Sequence, residues 1–115
     1  MLISDVIAIV SATKPNNFTE ADYIRHLNDL ESYLAKNVYD NTEYVTMTAT
    51  TDTLGVPEEF DRIYEEYLYA KIDLEDGRQD LYQLSYGQYM NTYMDLRNHV
   101  NRSSTKTATR FTNYM

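Results

Sequence analysis

The chain has 115 residues, enough for one domain with a modest core, and carries 18 acidic against 10 basic side chains for a formal charge of −8. Tight duplex binding needs several phosphate-neutralising cations together, so this balance excludes a surface given over to DNA. With no cysteine there is neither a disulfide nor a thiolate nucleophile, while 12 tyrosines and no tryptophan make the composition unusual.

The charge is unevenly placed. Residues 1–80 hold 17 acidic and 6 basic side chains, a balance of −11, and residues 81–115 hold 1 and 4, a balance of +3. Such asymmetry speaks of partners and assembly more than of fold. The start, MLISDVIAIV, contains Asp5 and no basic residues, and its apolar run is too short for export. Nothing approaches the roughly 20 apolar residues of a spanning helix. The expectation is a protein made in the cytoplasm that does not enter a membrane.

Leu2, Ile3, Val6, Ile7 and Val10 recur at helical spacing and predict a short first helix. Lys14-Pro15-Asn16-Asn17 breaks the chain. Thr19 then stands as an N-cap, with Asp22 three residues on as a variant capping box and Phe18 and Tyr23 as a hydrophobic staple. The stripe Ile24, Leu27, Leu30 or Glu31, and Leu34 predicts a second helix ending near Val38. From about 40 to 55 the Thr- and Val-rich run has no helical period and reads as an extended loop. An edge strand within it would need a partner, such as a neighbouring subunit. Pro57 suits a first helical position, and Phe60, Ile63, Tyr64, Tyr67, Leu68, Ile72 and Leu74 form the wide apolar arc of a third helix. Gly77 marks a turn. A last helix is predicted from about Arg78 to Arg102, followed by SSTKTATRFTNYM (103–115), an arm expected to order only against a partner. The fold class is therefore all-α, a small bundle of three to four helices occupying 1–102.

Tyr82, Tyr86, Tyr89, Tyr93, Leu96 and Val100 step by 4, 3, 4, 3 and 4, the spacing of a packing seam on the last helix. Leu84, Met90 and Met94 flank it. The row can be a core seam against the third helix or can partly face a neighbouring subunit, where tyrosine and methionine are enriched. In an antiparallel hairpin Tyr82 and Tyr86, nearest the turn, are expected to be buried. The interface candidates are Tyr89, Met90, Tyr93 and Met94 on the helix and Lys106, Arg110 and Phe111 on the arm, with Tyr93 the leading one.

Signals for chemistry are weak. His26 and His99 stand apart, in no metal-ligand spacing. Residues 73–80, DLEDGRQD, resemble a calcium loop but lack its glycine at position 6 and its closing glutamate, so a solvated acidic face is the simpler reading. No serine lies in a GxSxG or SxxK pattern, and Gly55, Gly77 and Gly87 are too scattered to cradle a phosphate. The expectation is a structural or interaction protein without catalytic, metal or cofactor sites.

Two stretches carry a family likeness. Residues 14–41, KPNNFTEADYIRHLNDLESYLAKNVYDN, open with a Lys-Pro-Asn loop and an acid-capped helix. Residues 56–102 contain Val56-Pro57, Phe60, Tyr67-Leu68, Ala70-Lys71-Ile72-Asp73, Gly77, Tyr82, Tyr89, Tyr93 and Asn101-Arg102 in a matching order and spacing. Together they resemble the small head-tail connector, or head-completion adaptor, proteins of tailed phages and prophages of Gram-positive bacteria. His26-Leu27 and Gly87 depart from that pattern, and the arm has no counterpart in it. The resemblance implies an oligomeric ring, a dodecamer, in the neck of the virion. That ring would dock beneath the portal protein and meet a stopper or tail-completion protein below, and double-stranded DNA would pass through it unread. The competing reading is a non-viral helical interaction module, an antitoxin or regulator, that binds a basic protein through the Glu58–Glu66 face.

Overall fold

The computed structural model describes residues 1–40 and 43–108, with side chains through Arg102. Four helices follow in order: α1 (Ile3–Thr13), α2 (Glu20–Asn37), α3 (Arg62–Glu75) and α4 (Gln79–Ala108). The all-helical bundle expected from the sequence is what the chain forms.

α2 begins as its cap predicts. Thr19 Oγ1 accepts from the Asp22 N–H at 3.2 Å, and the Asp22 carboxylate accepts from the Thr19 N–H at 2.9 Å. Phe18 meets Tyr23 edge to face at 5.6 Å. Asn16 completes this corner, its Oδ1 accepting from the Phe18 N–H and the Tyr23 hydroxyl. Pro57, expected inside the third helix, instead precedes a single 3-10 turn, Glu58–Phe60, from which α3 starts at Arg62. α3 ends in a Schellman motif: Gly77 takes φ 74°, its N–H donates to Leu74 O, and the Arg78 N–H donates to Asp73 O.

α3 and α4 form an antiparallel hairpin, and α1 and α2 pack on α3. At 30 residues and about 1.5 Å rise each, α4 runs nearly the full 49 Å of the molecule. It continues to Ala108, so the extended arm expected from residue 103 does not begin there; residues 109–115 lie outside the described chain. The core draws Ile3, Val6 and Val10 from α1, Leu27, Leu30 and Leu34 from α2, Ile63, Tyr64, Leu68 and Ile72 from α3, and Tyr89, Tyr93 and Leu96 from α4.

The loop after α2 is not a free edge. Asp52 O and Thr50 O accept from the Ile3 and Ser4 N–H groups, which as first-turn donors have no partner within α1. Leu2 bridges Thr53, so the partner for this segment is the chain's own N-terminus rather than a neighbouring subunit. Asn28 of α2 grips the loop from below: its Nδ2 donates to Met47 O, and its Oδ1 accepts from the Met47 N–H and the Tyr44 hydroxyl. Burial raises the Tyr44 phenol to about 12. Glu31 accepts from the Gly55 N–H and the Tyr64 hydroxyl, and that hydroxyl in turn accepts from the Val56 N–H. These clamps let Met47, Leu54 and Val56 enter the core.

Candidate functional site

The register of the α3–α4 hairpin decides what becomes of the tyrosine row. Ser85, Tyr89, Thr92 and Leu96 are buried on α4 and step by 4, 3 and 4. The seam toward α3 is thus rotated from the line of tyrosines. Its two aliphatic hydroxyls meet carboxylates of α3: Ser85 Oγ donates to Asp73 at 2.8 Å, and Thr92 Oγ1 donates to Glu66. Both pairs are seven residues apart along their helices, in opposite directions, as an antiparallel hairpin requires. Burial is the main cause that raises the Glu66 carboxyl above its ordinary range, against the lowering effects of Thr92 and Arg62. Asp73, expected on a solvated acidic face, is fully buried and also pairs with Lys14 Nζ at 2.6 Å. Buried charge of this kind needs partners.

Because the seam is rotated, the tyrosines turn toward α2. A groove of about 320 Å³ opens between α2, α3 and α4. Tyr89 and Tyr93 form its floor, 6% and 8% exposed, and Tyr33 of α2 and Tyr86 stand at its rim, 49% and 44% exposed. Tyr67 of α3, Met90 and Leu30 complete the wall, with Asp29 the one charged lining residue among the described residues. The rings form a continuous relay, with Tyr82–Tyr86 at 5.7 Å, Tyr86–Tyr89 at 5.8 Å, Tyr89–Tyr67 at 5.3 Å, Tyr89–Tyr93 at 6.2 Å and Tyr93–Tyr33 at 5.8 Å between centres. Such spacings suit tilted aromatic pairs. Burial raises the Tyr67 phenol to about 12 and moves Tyr89 and Tyr93 upward as well, Tyr93 further through the neighbouring Tyr33.

Of the sequence-predicted residues, Tyr89, Met90 and Tyr93 line this groove, while Met94 is 41% exposed and is not part of its lining. Lys106 lies in the backbone of α4, and Arg110 and Phe111 fall outside the described residues. The expected division of the row is reversed: Tyr93 is buried, Tyr86 is exposed and Tyr82 is half-buried. Sequence reasoning missed Asp29, Tyr33 and Tyr67. The first two are one helical turn apart on α2, a spacing that placed them together once α2 was accepted.

His26 is 7% exposed, and neither ring nitrogen has a hydrogen-bond partner among the described residues. Burial first, then the charges of Arg25 and Lys71, lower its pKa. His99 rests against the Phe60 ring at 5.1 Å. Among the described residues no group of three or more His, Cys, Asp or Glu is placed to hold a metal ion, and no helix is long and apolar enough to cross a membrane. Compared with known proteins, the chain matches no family model, no curated protein and no solved structure.

Proposed function

We propose that this chain is a structural connector subunit, assembling with copies of itself into a ring that docks beneath a phage portal and lets double-stranded DNA pass. The observation that carries the reading is the tyrosine groove. Half-exposed Tyr33 and Tyr86 over a buried aromatic floor make a surface suited to a protein partner, where tyrosine and methionine are enriched. Support also comes from the resemblance over residues 14–41 and 56–102, whose Asp73 and Gly77 help to build the α3–α4 hairpin. The balance of −11 over residues 1–80 suits a wall along which polyanionic DNA slides without sticking. A portal and a stopper protein are the partners above and below, and the neck of the virion is the location.

The competing reading, a regulator that engages a basic protein, is favoured by exposed Glu58 and Glu59 ahead of α3. Mass photometry and electron microscopy of the chain, alone and with a portal ring, separate the two. The connector reading expects a closed ring of about twelve copies by family resemblance, seated on the portal. A one-to-one complex with a basic protein and no ring would overturn it.

A further inference from the structure

We propose that the tyrosine groove receives a guanidinium, the side chain of an arginine presented by a partner protein. The inference rests on reading the groove as a protein interface and does not depend on a ring. Phenol faces supply the first reason. Tyr33 and Tyr86 stand open at the rim above Tyr89 and Tyr93, and a planar cation stacks on such faces with an attraction that grows as water leaves.

Charge supplies the second reason. Asp29 is the one charged residue of the lining, and its carboxylate enters no ion pair or hydrogen bond among the described residues. It stands one turn from Tyr33 on α2, so an anion and an aromatic face border the same opening. An anionic ligand would meet Asp29 as a like charge. A wholly apolar plug would strip water from that carboxylate and from several phenol hydroxyls without replacing it.

The molecule already uses this chemistry next door: Lys71 Nζ lies 5.2 Å from the centre of the Tyr67 ring. Neither Lys71 nor Arg97, whose charge acts on Tyr93, belongs to the lining. Both disfavour a second cation on the Tyr67 and Arg97 sides, which directs the guanidinium to the Tyr33–Tyr86 side, beside Asp29. At about 320 Å³ the groove lies at the small end of ligand sites, a fit for one side chain rather than a helix.

The test titrates the full chain, into the millimolar range, with a short acetylated peptide holding one arginine. Its lysine and citrulline counterparts serve as comparisons, and tyrosine ring resonances are followed by NMR. The arginine peptide is expected to move the Tyr33 and Tyr86 signals saturably. Citrulline, which keeps the shape and loses the charge, should bind about tenfold more weakly, and lysine should fall between. Asp29→Asn should weaken the arginine peptide about two- to fivefold with no change in melting temperature, because Asp29 is exposed. Equal binding of citrulline, an unaffected Asp29→Asn variant, or no ring shifts would each overturn the proposal. If rings form on the portal while no peptide moves these signals, only the guanidinium inference falls. If the arginine peptide binds as described and the chain never assembles, only the connector reading falls.

Discussion

The two flanks of α4 solve opposite problems. Toward α3 it presents Ser85, Thr92 and Leu96, and the seam closes, with each hydroxyl matched to a carboxylate. Toward α2 it presents Tyr86, Met90 and Tyr93, with Tyr89 shared between the two flanks through its contact with Tyr67 of α3, and the packing stays open as a groove. Small polar residues thus make the tight contact and large aromatic residues the loose one. Short side chains let two helices approach closely, whereas bulky rings hold a third helix away and leave space between their planes. The closed flank holds the fold together; the open flank is where the proposed partner would fit.

The largest effect should come from breaking the closed flank. Asp73→Ala strands Lys14 and removes the acceptor of Ser85, so chemical denaturation should show a loss of about 3–5 kcal/mol, reduced to the extent that Lys14, 24% exposed, regains water. An unchanged denaturation midpoint would mean that the buried pair does not organise the hairpin.

Next, the open flank should divide by burial. Tyr93→Ala is expected to cost about 3 kcal/mol, and Tyr86→Ala under about 1 kcal/mol. Equal costs from paired urea melts would erase the distinction between floor and rim.

A fourth variant asks whether the loop is held as firmly as the helices. Asn28→Ala removes three hydrogen bonds to Tyr44 and Met47 and should cost about 2 kcal/mol, with faster amide exchange over residues 44–56. Protection that stays the same in that stretch would assign the anchoring to Glu31 and the N-terminus alone. Smaller still, Thr19→Ala should lower stability by about 1 kcal/mol as a lost N-cap, read from the urea midpoint.

The subtlest effect is one of slope. His26 has a folded-state pKa below its ordinary 6.5, so on acidification the unfolded chain takes up the proton first. Its contribution is intact above about pH 6.5 and is lost as pH falls through the lower folded value. His26→Leu should therefore flatten stability against pH between neutral and mildly acid conditions. Parallel curves for the two proteins would show that this imidazole does not titrate differently on folding.

How much of this was legible depended on the range of the interactions. The α2 cap could be read because Thr19 and Asp22 are three residues apart, and the α3 stop because Gly77 supplies its own left-handed turn. The polar loop hid its tether because Asn28 and Met47 are 19 residues apart and nothing local marks Asn28 as a backbone mimic. In α4 the tyrosine spacing was correct and its meaning misplaced. Ser85 and Thr92 look like solvent residues until Asp73 and Glu66 arrive opposite them, and that shift of register turned the aromatic row toward α2. Tyr89, Met90 and Tyr93 were anticipated at the site, while its α2 wall required the tertiary packing.

On the reading proposed above, the open flank of α4 is covered by protein in the assembled state. The direct measurement is mass photometry of the wild type and the Tyr33→Ala/Tyr86→Ala variant on a portal ring, with melting temperatures taken alongside. The wild type is expected to assemble, and the variant to melt within a few degrees of it yet stay a free subunit, since both rings are at the exposed rim. A variant that assembles as readily as the wild type would contradict that reading.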